Sequence, residues 1–448
     1  MADPTYGITH RRVLSIALPI VISNATVPIL GAVDTGVIGQ LGGAAPIGAV
    51  GIGAIILGAL YWIFGFLRMG TVGLTSQALG GGDAQEVRAL FFRSAGIGVL
   101  AGLGFIAFQI PIFAAAFWIA PASEEVEGLA RAYMSIRVWS APAAIAIYGL
   151  SGWLIAQERT RAVLMIQLFM NVTNIILDFW FVLGLGFGVE GVAVATLIAE
   201  WGGLVLGLYL CRQVFRGLAL SLWQQIVNRR RVIYMMQVNG DILIRSVLLQ
   251  AGFVSFLFFG AELGDVTLAA NQVLLQFVYL ASYAMDGFVF AAESLVGQAM
   301  GAKAVAQLRR GASVTAVWAF GSAFVMAAGF WIVGPFVIDV MAKDPAVQQA
   351  ARLYLPHMAL APLLGALAWM LDGIFIRFSN PISLHHFYIF RPINLIQRFQ
   401  KLISIISYFN KPLIYFFNFN LSTRSPTFAI DYLLIGKNCF INRIPINK

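Results

Sequence analysis

The chain has 448 residues, of which 60% are hydrophobic and only 11% charged. That leaves too little polar surface to clothe a water-soluble globule of this length, so the composition specifies an all-α, polytopic membrane protein. A net charge of +9 could suit nucleic acid, but the bases fall at intervals between apolar runs and never gather on one amphipathic element, which argues against a nucleic-acid partner.

Ten apolar segments read as helices, at about 11–37, 47–79, 87–118, 128–156, 161–185, 191–215, 231–260, 267–299, 305–337 and 347–376. The first is long and flows into further spans, so it reads as a retained helix and not as a cleavable leader. It carries Pro19 and Pro28, each of which removes a helix hydrogen bond and invites a bend, and it carries a carboxylate, Asp34. An uncompensated charge at membrane depth costs a few kcal/mol or more, so such an acid is expected to face a wet cavity or a partner. A harmless alternative puts Asp34 among headgroups at the outer end of the span.

Bases concentrate in alternate connections. Arg11 and Arg12, Arg88 and Arg93, Arg159 and Arg161, Arg212 to Arg231, Lys303 to Arg310 and Arg377 fall on one side, and the other connections carry mainly acids such as Glu124, Glu190, Asp265 and Asp339. The alternation supports the helix count and predicts a cytoplasmic N-terminus. Cys211 and Cys439 stand far apart in no CxxC or metal-ligand spacing, so no disulfide framework is implied.

An internal repeat is visible. Gly73–Arg88, GLTSQALGGGDAQEVR, aligns without gaps on Ser294–Arg309, SLVGQAMGAKAVAQLR, and Arg11-Arg12-Val13 answers Arg230-Arg231-Val232. Six helices return a chain to its starting side, so the halves should be related by an axis along the membrane normal, with the substrate path between two lobes. The organisation predicted is an N-terminal six-helix lobe over 1–217, a cytoplasmic inter-lobe linker over 218–230, and a four-helix C-terminal lobe over 231–376. From 377 to 448 the Ala- and Gly-rich composition gives way to Asn, Ile, Phe and Lys, as in a frameshifted or foreign tail in place of the last two helices.

Polar residues inside the spans carry whatever chemistry there is. Gln167, Asn171, Asn174 and Asp178 fall at i, i+4, i+7 and i+11, on one face of the fifth helix. Thr196 follows in the sixth, with Glu200 one turn later. Asp34, Asn174, Asp178 and Thr196 together have the oxygen chemistry for a hard monovalent cation such as sodium, or for a proton shared between carboxylates. Helix–helix hydrogen bonding by Asn and Thr is the plainer reading of the same set. A second cluster comprises Asp241, Arg245, Asp286, Glu293 and Asp372, in which Asp241 and Arg245 at i, i+4 read as a self-neutralising intrahelical ion pair. Gly98-x3-Gly102 and Gly203-x3-Gly207 fit close helix packing. No HExxH, Walker A loop or nucleophile–base–orienter set is present, so an enzyme is not expected.

These stretches carry a resemblance. LGAVDTGVIGQLG (Leu30 to Gly42), GLTSQALGGGD (Gly73 to Asp83), NIILDFWFVLGLGFGVEGVAVAT (Asn174 to Thr196), LAANQVLLQ (Leu268 to Gln276) and DGFVFAAESLVGQAMGAK (Asp286 to Lys303) resemble the multidrug and toxic compound extrusion (MATE) family, in its DinF-like branch. The likeness covers about residues 8–376. It implies twelve helices in two six-helix lobes, and export of organic, often cationic, compounds in exchange for protons or sodium. It also implies that Asp34 is the first-helix aspartate whose protonation is coupled to helix bending, working with Asn174, Asp178 and Thr196. The chain departs from the branch at Gly240, where a basic residue is expected, and in the apparent loss of helices eleven and twelve. The expected function is a cation-coupled antiporter in the bacterial inner membrane, monomeric, needing no cofactor beyond its coupling ion and contacting a small organic substrate and lipid. The alternatives are a lipid-linked precursor flippase of the same superfamily, and a truncated membrane protein that transports nothing.

Overall fold

A computed structural model describes residues 7–40, 43–119, 122–216, 220–262 and 265–375 of the chain. The tail expected from 377 lies outside these residues. The described helices are α1 (His10–Gly39), α2 (Ala44–Trp62), α3 (Phe66–Gly80), α4 (Ala84–Ala107), α5 (Gln109–Ile119), α6 (Glu124–Arg137) and α7 (Ala141–Ala156). They continue with α8 (Thr160–Asp178), α9 (Gly188–Leu210), the short α10 (Leu220–Ile226), α11 (Arg229–Glu262), α12 (Asp265–Gly301), α13 (Val305–Met341) and α14 (Pro345–Phe375). No strand occurs among the described residues, and nine helical segments there are long and apolar enough to cross a membrane.

Several of the ten expected spans are jointed. The second is α2 and α3 joined by a 3₁₀ turn, Ile63–Gly65, and the fourth is α6 and α7 joined by Val138–Ser140. The latter joint follows from Pro142, whose missing N–H cannot serve the Val138 carbonyl. Pro111 does the same to Ala107, the last residue of α4. The fifth span ends in a π-helical turn, Phe179–Gly184, immediately after Asp178.

α1 stays one continuous helix through both of its prolines. The carbonyl that Pro19 frees is that of Ser15, and the Thr160 hydroxyl at the start of α8 donates to it at 3.1 Å. The freed carbonyl thus keeps a partner where the helix cannot supply one. Thr160→Val should cost about 1 kcal/mol, the net worth of one such bond, with no change in helix content; thermal unfolding in detergent checks it.

α4 crosses α7 at close range, as the small-residue spacing predicts. A Cβ at Gly98 would meet the Ala146 backbone, and one at Gly102 the Pro142 backbone. The connection before α11 is tied to α4: Arg93 of α4 donates to the Gln225 and Ile226 carbonyls at the end of α10 and pairs with Glu86 at 2.7 Å, and Arg231 of α11 pairs with Asp83 and Glu86. Cys211 is buried beside it as a free thiol.

The repeat holds hydrogen bond by hydrogen bond. Gly81 N–H donates to Gln77 O and Asp83 N–H to Ala78 O, and the aligned Ala302 and Ala304 donate to Gln298 O and Ala299 O, all at 2.8–2.9 Å. Gly82 and its counterpart Lys303 both take left-handed backbone, at φ 74° and 54°. The repeats also meet each other. A Cβ on Gly80 would run into the Gln298 carbonyl, and one on Gly301 into the Gln77 carbonyl, so α3 and α12 cross at reciprocal glycines. Such a contact is what a two-fold relation between parallel halves produces. Arg12 closes over the same end: it pairs with Glu158 through Nε (2.8 Å) and a terminal nitrogen, and it donates to Gln298 at 3.1 Å.

Candidate functional site

α1 packs along α8, and α8 along α9, which brings four polar side chains together. Asp178, at the last α-helical position of α8, is fully buried at 0% exposure, and Asn174, one turn earlier, is 1% exposed. Thr196 of α9 and Asp34 of α1 complete the group. With its nitrogen turned toward the acids, the Asn174 amide donates to Asp34 Oδ1 (3.1 Å) and Asp178 Oδ2 (3.0 Å) and accepts from Thr196 Oγ1 (3.0 Å). Turned the other way it donates to Thr196 Oγ1 at 3.0 Å, and the Thr196 hydroxyl is free to serve the Val192 carbonyl, also at 3.0 Å. The carboxyls of Asp34 and Asp178 are thus bridged by one amide, close enough for each to feel the other's charge. Two carboxyls that share a single amide donor repel each other when both are ionised, and a proton or a small cation between them would relieve that repulsion. Asp178 Oδ1 is buried and makes no hydrogen bond.

The rest of the polar stripe serves α1 one step further along. Gln167 donates to Asn171 Oδ1 (2.9 Å), and Asn171 donates to Thr26 Oγ1 (2.7 Å), two residues before Pro28. All four stripe residues of α8 thus lie along the first helix, whose Pro19 and Pro28 bracket this contact.

Behind the acid pair sits a cation absent from the sequence-based list. Arg137 of α6 donates to Glu200 Oε1 (3.0 Å) and to the Tyr133 hydroxyl (3.1 Å), and its charge bears on both Asp34 and Asp178. Glu200, 8% exposed, therefore belongs to an ion pair. The signal for Arg137 was its position inside an apolar run, hidden by counting bases only in the connections. Arg68 of α3 was hidden in the same way.

The second cluster spreads over α11, α12 and α14, with Arg245 set near both Asp372 and Glu293. Arg245 forms its ion pair with Asp372 of α14 and not with Asp241. This corrects the expected intrahelical pair: Asp241 is exposed, whereas Asp372 is half-buried and draws the guanidinium across to a neighbouring helix. Asp286 of α12 accepts a long hydrogen bond from Asn24 of α1 (3.4 Å), and Glu293 is fully buried two turns later.

A bundle of membrane-length helices in two repeated halves, with a buried, amide-bridged pair of carboxyls against its first helix, fits a membrane transporter. The MatE family model matches residues 19–180 and 242–390, and the chain belongs to that family. It is 36% identical over 380 residues to the DNA damage-inducible protein F of Escherichia coli, covering 82% of this chain and 80% of the relative. It is 26% identical over 391 residues to a probable multidrug resistance protein NorM of Synechocystis, covering 81% and 79%. It shares its fold with a variant of the Vibrio cholerae MATE transporter VcmN at TM-score 0.71 and 20% identity, over 82% of this chain and 83% of that one.

Proposed function

We propose that this efflux transporter is an antiporter that exports organic cations by alternating access, in exchange for protons or sodium ions taken up at Asp34 and Asp178. The pairing of those two carboxyls on the single Asn174 amide carries the reading. With a proton or sodium ion between them, α1 is held against α8. When the ion leaves, two like charges face each other at short range in a medium of low dielectric and repel, and α1 is the element that can yield, because Pro19 and Pro28 have already removed two of its hydrogen bonds. Asn174 reports the change: it turns its nitrogen to the ionised pair, and Thr196 swings from the Val192 carbonyl to the amide oxygen. An organic cation brought up to the ionised pair would balance its charge, so ion and substrate exclude one another.

Asp34, Asn174, Asp178 and Thr196 supply carboxylate, amide and hydroxyl oxygens, which fits sodium as well as a proton. Each ion moving inward gains about 2.3 kcal/mol per 100 mV, enough to drive export against a gradient. In this reading the protein is a monomer in a bacterial inner membrane with its N-terminus in the cytoplasm. Dye efflux from everted vesicles, with the proton and sodium gradients dissipated in turn, tests it. Loss of efflux with one of them is the expected result, and undiminished efflux with both dissipated would overturn the proposal.

A further inference from the structure

A guanidinium inside a membrane protein is expensive unless something answers its charge. Arg137 is answered by Glu200 and Arg245 by Asp372, but Arg68 has no such carboxylate: among the described residues it forms no salt bridge and no hydrogen bond. Its Nε is buried without a partner. The guanidinium is held between two rings, 5.7 Å from the centroid of Tyr148 on α7 and 5.0 Å from that of Phe290 on α12. The acid in its neighbourhood, Asp286, is engaged by Asn24. The side chain as a whole is half-buried, and its guanidinium lies against α7 of the first repeat and α12 of the second.

We propose that Arg68, flanked by Tyr148 and Phe290, is a docking point for the carboxylate of a transported amphiphile. The chemistry is matched on both counts. A guanidinium presents paired N–H groups to a carboxylate, and two rings that already fix its plane spare the side-chain entropy that such a contact otherwise costs. The inference rests on the exporter reading and deepens it: the favoured substrates carry a carboxylate as well as a cation. A phospholipid phosphate offers the same oxyanion chemistry, and the experiment separates the two.

Purified protein in phosphatidylcholine nanodiscs is titrated, by fluorescence anisotropy, with a rhodamine bearing a free carboxylate and with its ethyl ester. The wild type should prefer the carboxylate dye by roughly ten- to a hundred-fold, the worth of one charge-assisted contact. Arg68→Gln should erase that preference while Arg68→Lys keeps most of it. Equal affinity of the wild type for the two dyes, an unchanged preference in Arg68→Gln, or equal weakening of both dyes in that variant would overturn the proposal. So would loss of the preference on adding phosphatidylglycerol, which would assign the site to a lipid headgroup. Ion-driven efflux of the ester dye by wild-type liposomes is measured alongside: efflux without a preference sinks the docking site alone, and absence of efflux sinks the exporter reading.

Discussion

Asp34→Asn is expected to reduce ion-driven dye efflux to the level of empty vesicles while the protein still inserts in normal amount. Asparagine has the size of the aspartate and can meet the Asn174 amide, so the packing of α1 on α8 changes by no more than about 1 kcal/mol. What is lost is the capacity to cycle between an ionised and a neutral state, and with it the repulsion that moves α1. Asp178→Asn should give the same phenotype, because in the proposed scheme the two carboxyls, which share the Asn174 amide, act as one unit. Efflux measured with an imposed pH or sodium step decides the matter. Retained gradient-driven efflux by Asp34→Asn would contradict the scheme.

Arg137→Met is expected to destabilise the protein by about 3–5 kcal/mol, because it strands Glu200, whose side chain is only 11% exposed. The loss should be largely restored in the double variant Arg137→Met, Glu200→Gln, which removes the uncompensated charge and keeps the volume. A thermal-unfolding double-mutant cycle separates this from general misfolding. If the double variant is no more stable than the single one, the pair is not what holds α6 to α9.

Much of this fold was legible because lipid makes a long apolar run mean a helix, and the ten expected segments recur as helices among the described residues. The joints were less so. Pro111 and Pro142 advertise theirs, but nothing in FWFVLG foretells a π-helical turn. At the site, the stripe from Gln167 to Asp178 could be read from spacing alone, because one helix fixes which residues share a face. Its partners could not: Thr26 lies 145 positions from Asn171, and a threonine in an apolar helix carries no mark of the asparagine it will meet. Asp241 misled for the converse reason, since nearness in sequence suggested a pairing that Asp372, far along the chain, takes instead.

The interlocked glycines at one end of the bundle have a mechanical corollary. Gly80 rests on Gln298 and Gly301 on Gln77, so neither seam can part while the other stays shut. The two repeats must let go together, as paired cogs do, and no half-unzipped arrangement of that end keeps either contact intact. Arg12, which grips Glu158 and Gln298, adds a clasp to that end, and its repeat counterpart Arg231 adds another by holding Asp83 and Glu86.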